Sequence, residues 1–145
     1  MRTSMLPTII ISTDKSLLNI ELVHNFLHYE ARWCRGIPRD VVEKAIVNSL
    51  CFGAYAEGSQ VGFARVVTDY ATYGNLVDVF VLAEHRGKGI SRLLINAVNE
   101  HSDLQGLRRF MLATSDKQAL YKKFGFTELV RPEIFMEKFN PEAYT

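Results

Sequence analysis

The stretch NLVDVFVLAEHRGKGISRLL (75–94) constrains the fold more than any other part of the chain. Leu76, Val77, Val79, Phe80, Val81 and Leu82, interrupted only by Asp78, read as a buried strand. The run breaks at Ala83-Glu84-His85, passes through Arg86-Gly87-Lys88-Gly89 and enters a segment where Ile90, Leu93, Leu94, Ala97, Val98 and His101 recur at helical spacing. A helix start carries unpaired N–H groups and a partial positive charge. Glycines just before it let a ligand approach the backbone closely. With Arg86 and Lys88 beside it, the turn suits a phosphate or pyrophosphate. The competing reading is a glycine-softened turn with solvated cations. Neither of two common phosphate motifs fits. Ile90-Ser91-Arg92 lacks the third glycine of a dinucleotide fingerprint, and the spacing of a P-loop is absent.

The rest of the chain supplies layers for this unit. PTIIIST (7–13) predicts a first strand, and Ser16 to Tyr29 a helix through Leu18, Leu22, Phe26 and Tyr29. A polar, aromatic-bearing connection (30–38) leads to a second helix opened by Pro38, with Val41, Val42, Ala45 and Ile46 on one face. Residues 50–69 predict a hairpin about Glu57-Gly58-Ser59. RRFMLAT (108–114) predicts a strand reached by a right-handed parallel crossover from 77. SDKQALYKKFG (115–125) predicts a short helix capped by Ser115 or Asp116 and ended by Gly125. FTELV and EIFMEKF predict two closing strands, split by Arg131-Pro132. The fold class is α/β, an α+β mixed sheet in the order β-α-α-β-β-β-α-β-α-β-β, forming one domain over 1–145.

Net charge is +1, which gives no electrostatic case for nucleic acid or an anionic membrane, so any anion site has to be local. No apolar run reaches membrane-spanning length, and the first residues lack the pattern of a signal peptide, so a cytoplasmic location is expected. Cys34 and Cys51 read as reduced thiols without an activated setting.

HRGKGISRLL resembles the acetyl-CoA signature of the GNAT superfamily of N-acetyltransferases, Arg/Gln-x-x-Gly-x-Gly/Ala. Arg86 and Gly89 match its first two fixed places, and Ser91 departs at the third. ALYKKFGF (119–126) resembles the family's second landmark, and the order of elements agrees over nearly the whole chain. The resemblance implies a splayed central sheet and acetyl-CoA as co-substrate, with no metal. It implies that Phe80, Val81 and Leu82, with Val79, meet the pantetheine arm through the backbone. Arg86, Gly87, Lys88, Gly89, Ile90 and Ser91 would then meet the pyrophosphate.

The same resemblance implies direct transfer of acetyl to a primary amine of a small molecule. Tyr121 takes the place of the family's general acid, and a phenol is protonated at neutral pH. Its competing reading is helix core. Asp78, an acid inside an apolar strand, is the candidate base; its competing reading is an ion pair with Arg65 or a rim position. A backbone N–H near Phe80–Val81 is expected to stabilise the oxyanion. Asp116 stands where many relatives carry a CoA-contacting asparagine, and a helix cap is the alternative.

For the acceptor, Trp33 and Arg32, with Arg35, offer an aromatic and cationic surface; a tryptophan plugging two helices is the alternative. Phe52, Asp69 and Tyr73 are further pocket candidates by position. His24 and His28 have i, i+4 spacing but lack the glutamate of a zinc helix and a third ligand, so no metal is expected. His85 is expected to face solvent. Relatives are often dimers, so a homodimer is one expectation. Two competitors stay open: a non-catalytic CoA-binding sensor or partner module of the same fold, and an unrelated phosphate binder.

Overall fold

The computed structural model describes residues 8–145. Five strands form one mixed sheet in the order β1-β2-β3-β4-β5. They are β1 (Ile9–Ser12), β2 (Leu50–Ala56), β3 (Ser59–Thr68), β4 (Tyr73–Val81) and β5 (Arg109–Leu112). The first four are antiparallel neighbours, and β4 and β5 are parallel. The β2–β3 hairpin turns on Glu57 and Gly58, both at positive φ (51° and 81°), as a two-residue turn requires.

Four helices cover the sheet. α1 (Ile20–Asn25) is capped by Asn19, whose side chain accepts from the Leu22 N–H, and continues as a π-helical segment, Phe26–Glu30. Helical structure thus begins later than the sequence predicts, and Ser16 lies in a separate single turn. α2 (Arg39–Val47) starts just after Pro38. Both pack on one face of the sheet, in a core that joins Val23, Phe26, Leu27, Val42 and Ile46 to Phe63 and Phe80.

On the other face lies α3 (Ile90–Glu100). It buries Ile90, Leu94, Ile95 and Val98 against Phe52, Val66, Leu76 and Val81. Each such side chain contributes roughly 1.5–3 kcal/mol by leaving water. The buried stripe is rotated from the expected one: Ile95 is inside, and Leu93 is 44% exposed.

α4 (Gln118–Lys122) ends as expected at Gly125 (φ +94°). The Phe126 N–H reaches the Tyr121 carbonyl and the Gly125 N–H reaches that of Lys122, a Schellman closure. Its start differs. Lys117 is the capping residue, and Thr114 Oγ1 accepts the Lys117 N–H (3.1 Å); neither Ser115 nor Asp116 caps it.

The two predicted closing strands do not form. Beyond Phe126 the only regular element is one 3-10 turn, Pro132–Ile134. A strand needs a neighbour to satisfy its backbone, and none of the five strands pairs with this segment.

Candidate active site

Pairing between β4 and β5 starts at Tyr73–Arg109 and stops at Leu76–Leu112, although β4 runs on to Val81. The sheet is therefore open on one side of Val77–Val81. A bulge accounts for the opening. Phe63 pairs with Phe80 and Arg65 with Val77, so two β4 residues, Asp78 and Val79, oppose Ala64 alone. Asp78 takes the strain, at φ +55° in the left-handed region.

Asp78 is held there by two donors. Arg65 Nε donates to Oδ2 (3.0 Å) and Trp33 Nε1 donates to Oδ1 (2.8 Å). Arg65 also donates from Nη1 to Ser49 Oγ (2.9 Å), which in turn donates to the Ala45 carbonyl (2.6 Å). One network thus ties the bulge to β3, to α2 and to the 30–38 connection. The ion pair with Arg65 weighed against a base role is present, and both Asp78 oxygens are engaged.

Past the bulge, strand alternation sorts the backbone. The Leu82 N–H bonds to the Val61 carbonyl on the β3 side (2.9 Å). Val81, the alternate residue, presents its N–H and carbonyl to the opening. Arg86 Nε donates to that carbonyl (2.9 Å), so the first cation of the turn braces the strand end as well as facing outward.

The turn itself is bare. Gly87 (φ +77°) and Gly89 (φ +79°) adopt conformations that L side chains rarely take, and an added Cβ at either would meet nothing within 4 Å. Gly89 caps α3 without a side-chain bond. The first amide bonded back into the helix is that of Leu93, to the Gly89 carbonyl (3.2 Å), and no described group accepts from the N–H groups of 87–92. Lys88 is exposed, and Ser91 is half-buried at the third signature position. These residues fit a diphosphate: free amides, a helix start and two cations with no competing carboxylate bond. His85 corrects an expectation, because its ring is half-buried and Nδ1 is buried with no partner.

Tyr121 lies in the same cluster as Val81 and Ile90, its ring edge-on to Phe126 (5.9 Å). Its hydroxyl bonds to no described group and is not sealed off; among the described residues the buried unpaired side-chain atoms are Tyr55 Oη and His85 Nδ1. Burial raises the Tyr121 phenol above its ordinary value of 10.0, which keeps the proton on oxygen. Burial also pushes Cys34 up to about 12 and Cys51 up to about 11, so neither thiol is a nucleophile near neutrality.

Trp33 is 57% exposed, with its indole N–H spent on Asp78, so it is not a plug between helices. Arg32 and Arg35 are exposed and make no salt bridge among the described residues. His24 Nε2 (3.1 Å) and His28 Nδ1 (2.9 Å) both donate to the Ile37 carbonyl, which closes the 30–38 connection on α1. Among the described residues no three His, Cys, Asp or Glu side chains group closely enough for a metal.

A cleft of about 290 Å³, unmarked by any sequence motif, lies between α1 and the end of β4. Asn19, Glu21, Asn25 and Glu30 line it together with Leu22, Phe26 and Leu82. Three positional candidates fall elsewhere. Phe52 is core under α3. Asp69 accepts from the amides of Ala71, Thr72 and Tyr73 in the β3–β4 turn, and Tyr73 opens β4 at the end remote from Val81.

Comparison with known proteins agrees with this geometry. A family model described as an acetyltransferase (GNAT) domain matches residues 47–128. A Gibberella zeae protein, provisionally named an acetyltransferase, is 36% identical over 136 residues, covering 79% of this chain and 76% of its own. A Xanthomonas campestris crystal structure, described provisionally as a GNAT-family acetyltransferase, is 51% identical with a TM-score of 0.94, covering 97% of this chain and 99% of that one. A Clostridium acetobutylicum structure solved with acetyl-CoA shares the fold at 14% identity (TM-score 0.66; 95% of this chain, 100% of that one).

Proposed function

We propose that this chain, which belongs to the GNAT acetyltransferase family, moves the acetyl group of acetyl-CoA directly onto a primary amine of a small molecule. The observation that carries the reading is the conjunction of an opened strand edge with a bare helix start: β4 loses its β5 partner after Leu76, and the amides of 87–92 have no acceptor among the described residues. In this reading the diphosphate meets those amides with Arg86 and Lys88, while Ile90 and Ser91 form the start of α3 beneath it. The pantetheine arm lies along the edge of β4 as an added strand, bonding to Val79 and Val81. Phe80 and Leu82 point the other way and shape the α1 side.

The chemistry follows from position. A neutral amine attacks the thioester carbonyl carbon, and the C–N bond forms as the carbonyl electrons move to oxygen. A gap-facing N–H of this strand end that the pantetheine arm leaves free stabilises that oxyanion. Collapse breaks the C–S bond, and Tyr121 gives its proton to the departing thiolate. The ammonium proton leaves to water. Asp78, committed to Arg65 and Trp33, serves as the anchor of the bulge and of the 30–38 connection rather than as the base. The high thiol pKa values favour direct attack over an acyl-cysteine route. The carboxylates of Glu21 and Glu30 at the cleft draw in an acceptor as its ammonium form, which gives a proton to water before it attacks. Arg32 and Trp33 follow Glu30 in the 30–38 connection, both exposed, and would meet the acceptor from there.

The test is free-thiol release from acetyl-CoA across a panel of amines, beside a thermal-shift comparison. Acetyl-CoA raises the melting temperature, with roughly 2.7 kcal/mol of stabilisation at a hundredfold over Kd. ATP and NAD do not. Stabilisation by acetyl-CoA with no thiol release for any amine would leave a binding module in place of an enzyme.

A further inference from the structure

The cleft between α1 and the end of β4 owes its lining to one irregularity. From Phe26 the helix winds as a π turn, in which the Ala31 N–H reaches the Phe26 carbonyl (3.0 Å), five residues back. Glu21 and Leu22 are followed along the cleft by Asn25 and Phe26, the spacing of an α-helix, and then by Glu30. An unbroken α-helix would bring Tyr29 to that place. The wider turn takes in one more residue and brings Glu30 instead, and Tyr29 is left 68% exposed outside the lining.

The cleft also has a direction. At its head the Asn19 N–H donates to Gln60 Oε1 (2.7 Å), and the Leu82 N–H donates to the carbonyl of Val61, the next residue of β3 (2.9 Å). Further along, Phe26 stacks on Phe80 (ring centroids 3.9 Å apart), and Trp33, just past Glu30, reaches Asp78. Glu21 therefore stands at the Leu82 end and Glu30 toward the bulge, about 13 Å apart at the rise of a helix. The floor between them is apolar, made by Leu22, Phe26 and Leu82. Among the described residues neither carboxylate makes a salt bridge.

Helix stability does not account for both acids. Glu21 lies in the first turn of α1, where a carboxylate suits the helix dipole. Glu30 closes the π segment, where a carboxylate opposes it. Two separated anions with hydrocarbon between them match the reverse pattern in a ligand: two cations joined by methylenes.

We propose that the acceptor is a linear aliphatic diamine or polyamine, its far ammonium held at Glu21, its methylenes laid on Leu22, Phe26 and Leu82, and its reacting end drawn in by Glu30. This rests on acetyl transfer as proposed above and names the acceptor class for it. A pantetheine arm entering from the 86–91 turn runs along β4 away from Leu82, so the thioester comes to lie toward the bulge, at the Glu30 end. There the near ammonium gives its proton to water and attacks as the free amine. The far one keeps its charge and fixes the register of the chain. The π turn is then a specificity device, since it alone puts the second carboxylate in the cleft.

Three probes of graded design test this: 1,8-diaminooctane, 8-amino-1-octanol, which lacks only the far cation, and 1,4-diaminobutane, which is too short to reach both carboxylates. Thiol release should give 1,8-diaminooctane a kcat/KM about fivefold above each of the others, allowing for its two equivalent ends. Glu21→Gln should erase the difference between the long diamine and the amino alcohol, and Tyr29→Ala should leave it intact. Equal values for the long diamine and the amino alcohol overturn the proposal, and so does 1,4-diaminobutane matching the long diamine; acetyl transfer itself would stand in either case. Calorimetry of the same probes on protein saturated with CoA reads the cleft without turnover. Tighter binding of the long diamine, lost in Glu21→Gln, supports the assignment even if no amine releases thiol, an outcome that would remove only the transfer. No preference for the long diamine in that titration overturns the proposal.

Discussion

The two ends of β4 use similar side chains to opposite purpose. From Tyr73 to Leu76 the strand has a neighbour on each side, and its backbone is consumed by the sheet. From Val77 to Val81 it keeps β3 and loses β5, so its backbone edge is left open, and the proposed co-substrate would pair there. Apolar residues dominate both ends, and side-chain chemistry does not distinguish them. What distinguishes them is one left-handed residue, Asp78, and the Arg65–Trp33 bracket that holds it. A site can be made by withholding a partner from a strand as readily as by adding a functional group.

The largest effect is expected at the chemical step of the open end. Tyr121→Phe keeps the ring among Val81, Ile90 and Phe126 and removes only the proton donor. Turnover should fall about a hundredfold or more, with acetyl-CoA affinity unchanged in a parallel titration; turnover at the wild-type rate would remove Tyr121 from its role.

Asp78→Ala attacks the boundary between the two ends. It strands Arg65, whose side chain is only 18% exposed, and should cost about 3 kcal/mol in denaturant unfolding. Acetyl-CoA affinity should fall with it as the bulge relaxes. Lost stability with full affinity would mean that the bulge does not open the gap.

Gly89→Val comes next. The site has room for the side chain, but φ +79° does not suit it, so a stability loss of about 1–2 kcal/mol is expected. Acetyl-CoA binding should weaken about tenfold, the loss of one favourable backbone contact. Unchanged affinity would count against a phosphate at this turn.

The smallest effect belongs to the closed end. Hydrogen bonds from Thr72, Ala71 and Tyr73 hold the Asp69 carboxyl well below the usual carboxylate range. That share of stability is present above the carboxyl's unfolded pKa and is lost as pH falls into the acid range. Asp69→Ala should therefore lower the melting temperature at neutral pH and flatten its decline toward acid, leaving acetyl-CoA affinity as it was. A change in affinity would show that the two ends are not independent.

Much of the open end was legible because its signal is local. Two glycines and two cations between a β-rich run and a helical stripe describe the turn without long-range information. Tyr121 was legible through the closing Gly-Phe of its helix. The bulge was not, because aspartate in an apolar strand looks alike whether it bends the strand or sits at its rim; only Arg65 and Trp33, distant in sequence, decide it. The cleft with Glu21 and Glu30 escaped for the same reason, since ordinary helix-surface residues become its walls only when Leu82 arrives opposite. The closing strands were misread because period-two alternation records a tendency to pair and cannot supply the pairing strand.

Backbone hydrogen exchange with and without acetyl-CoA tests the central claim most directly. The account predicts that saturating ligand slows exchange at the gap-facing amides of 79–81 and at 87–92, while 73–76, already consumed by the sheet, does not change. Ligand protection absent from both segments, or confined to the closed end, would contradict it.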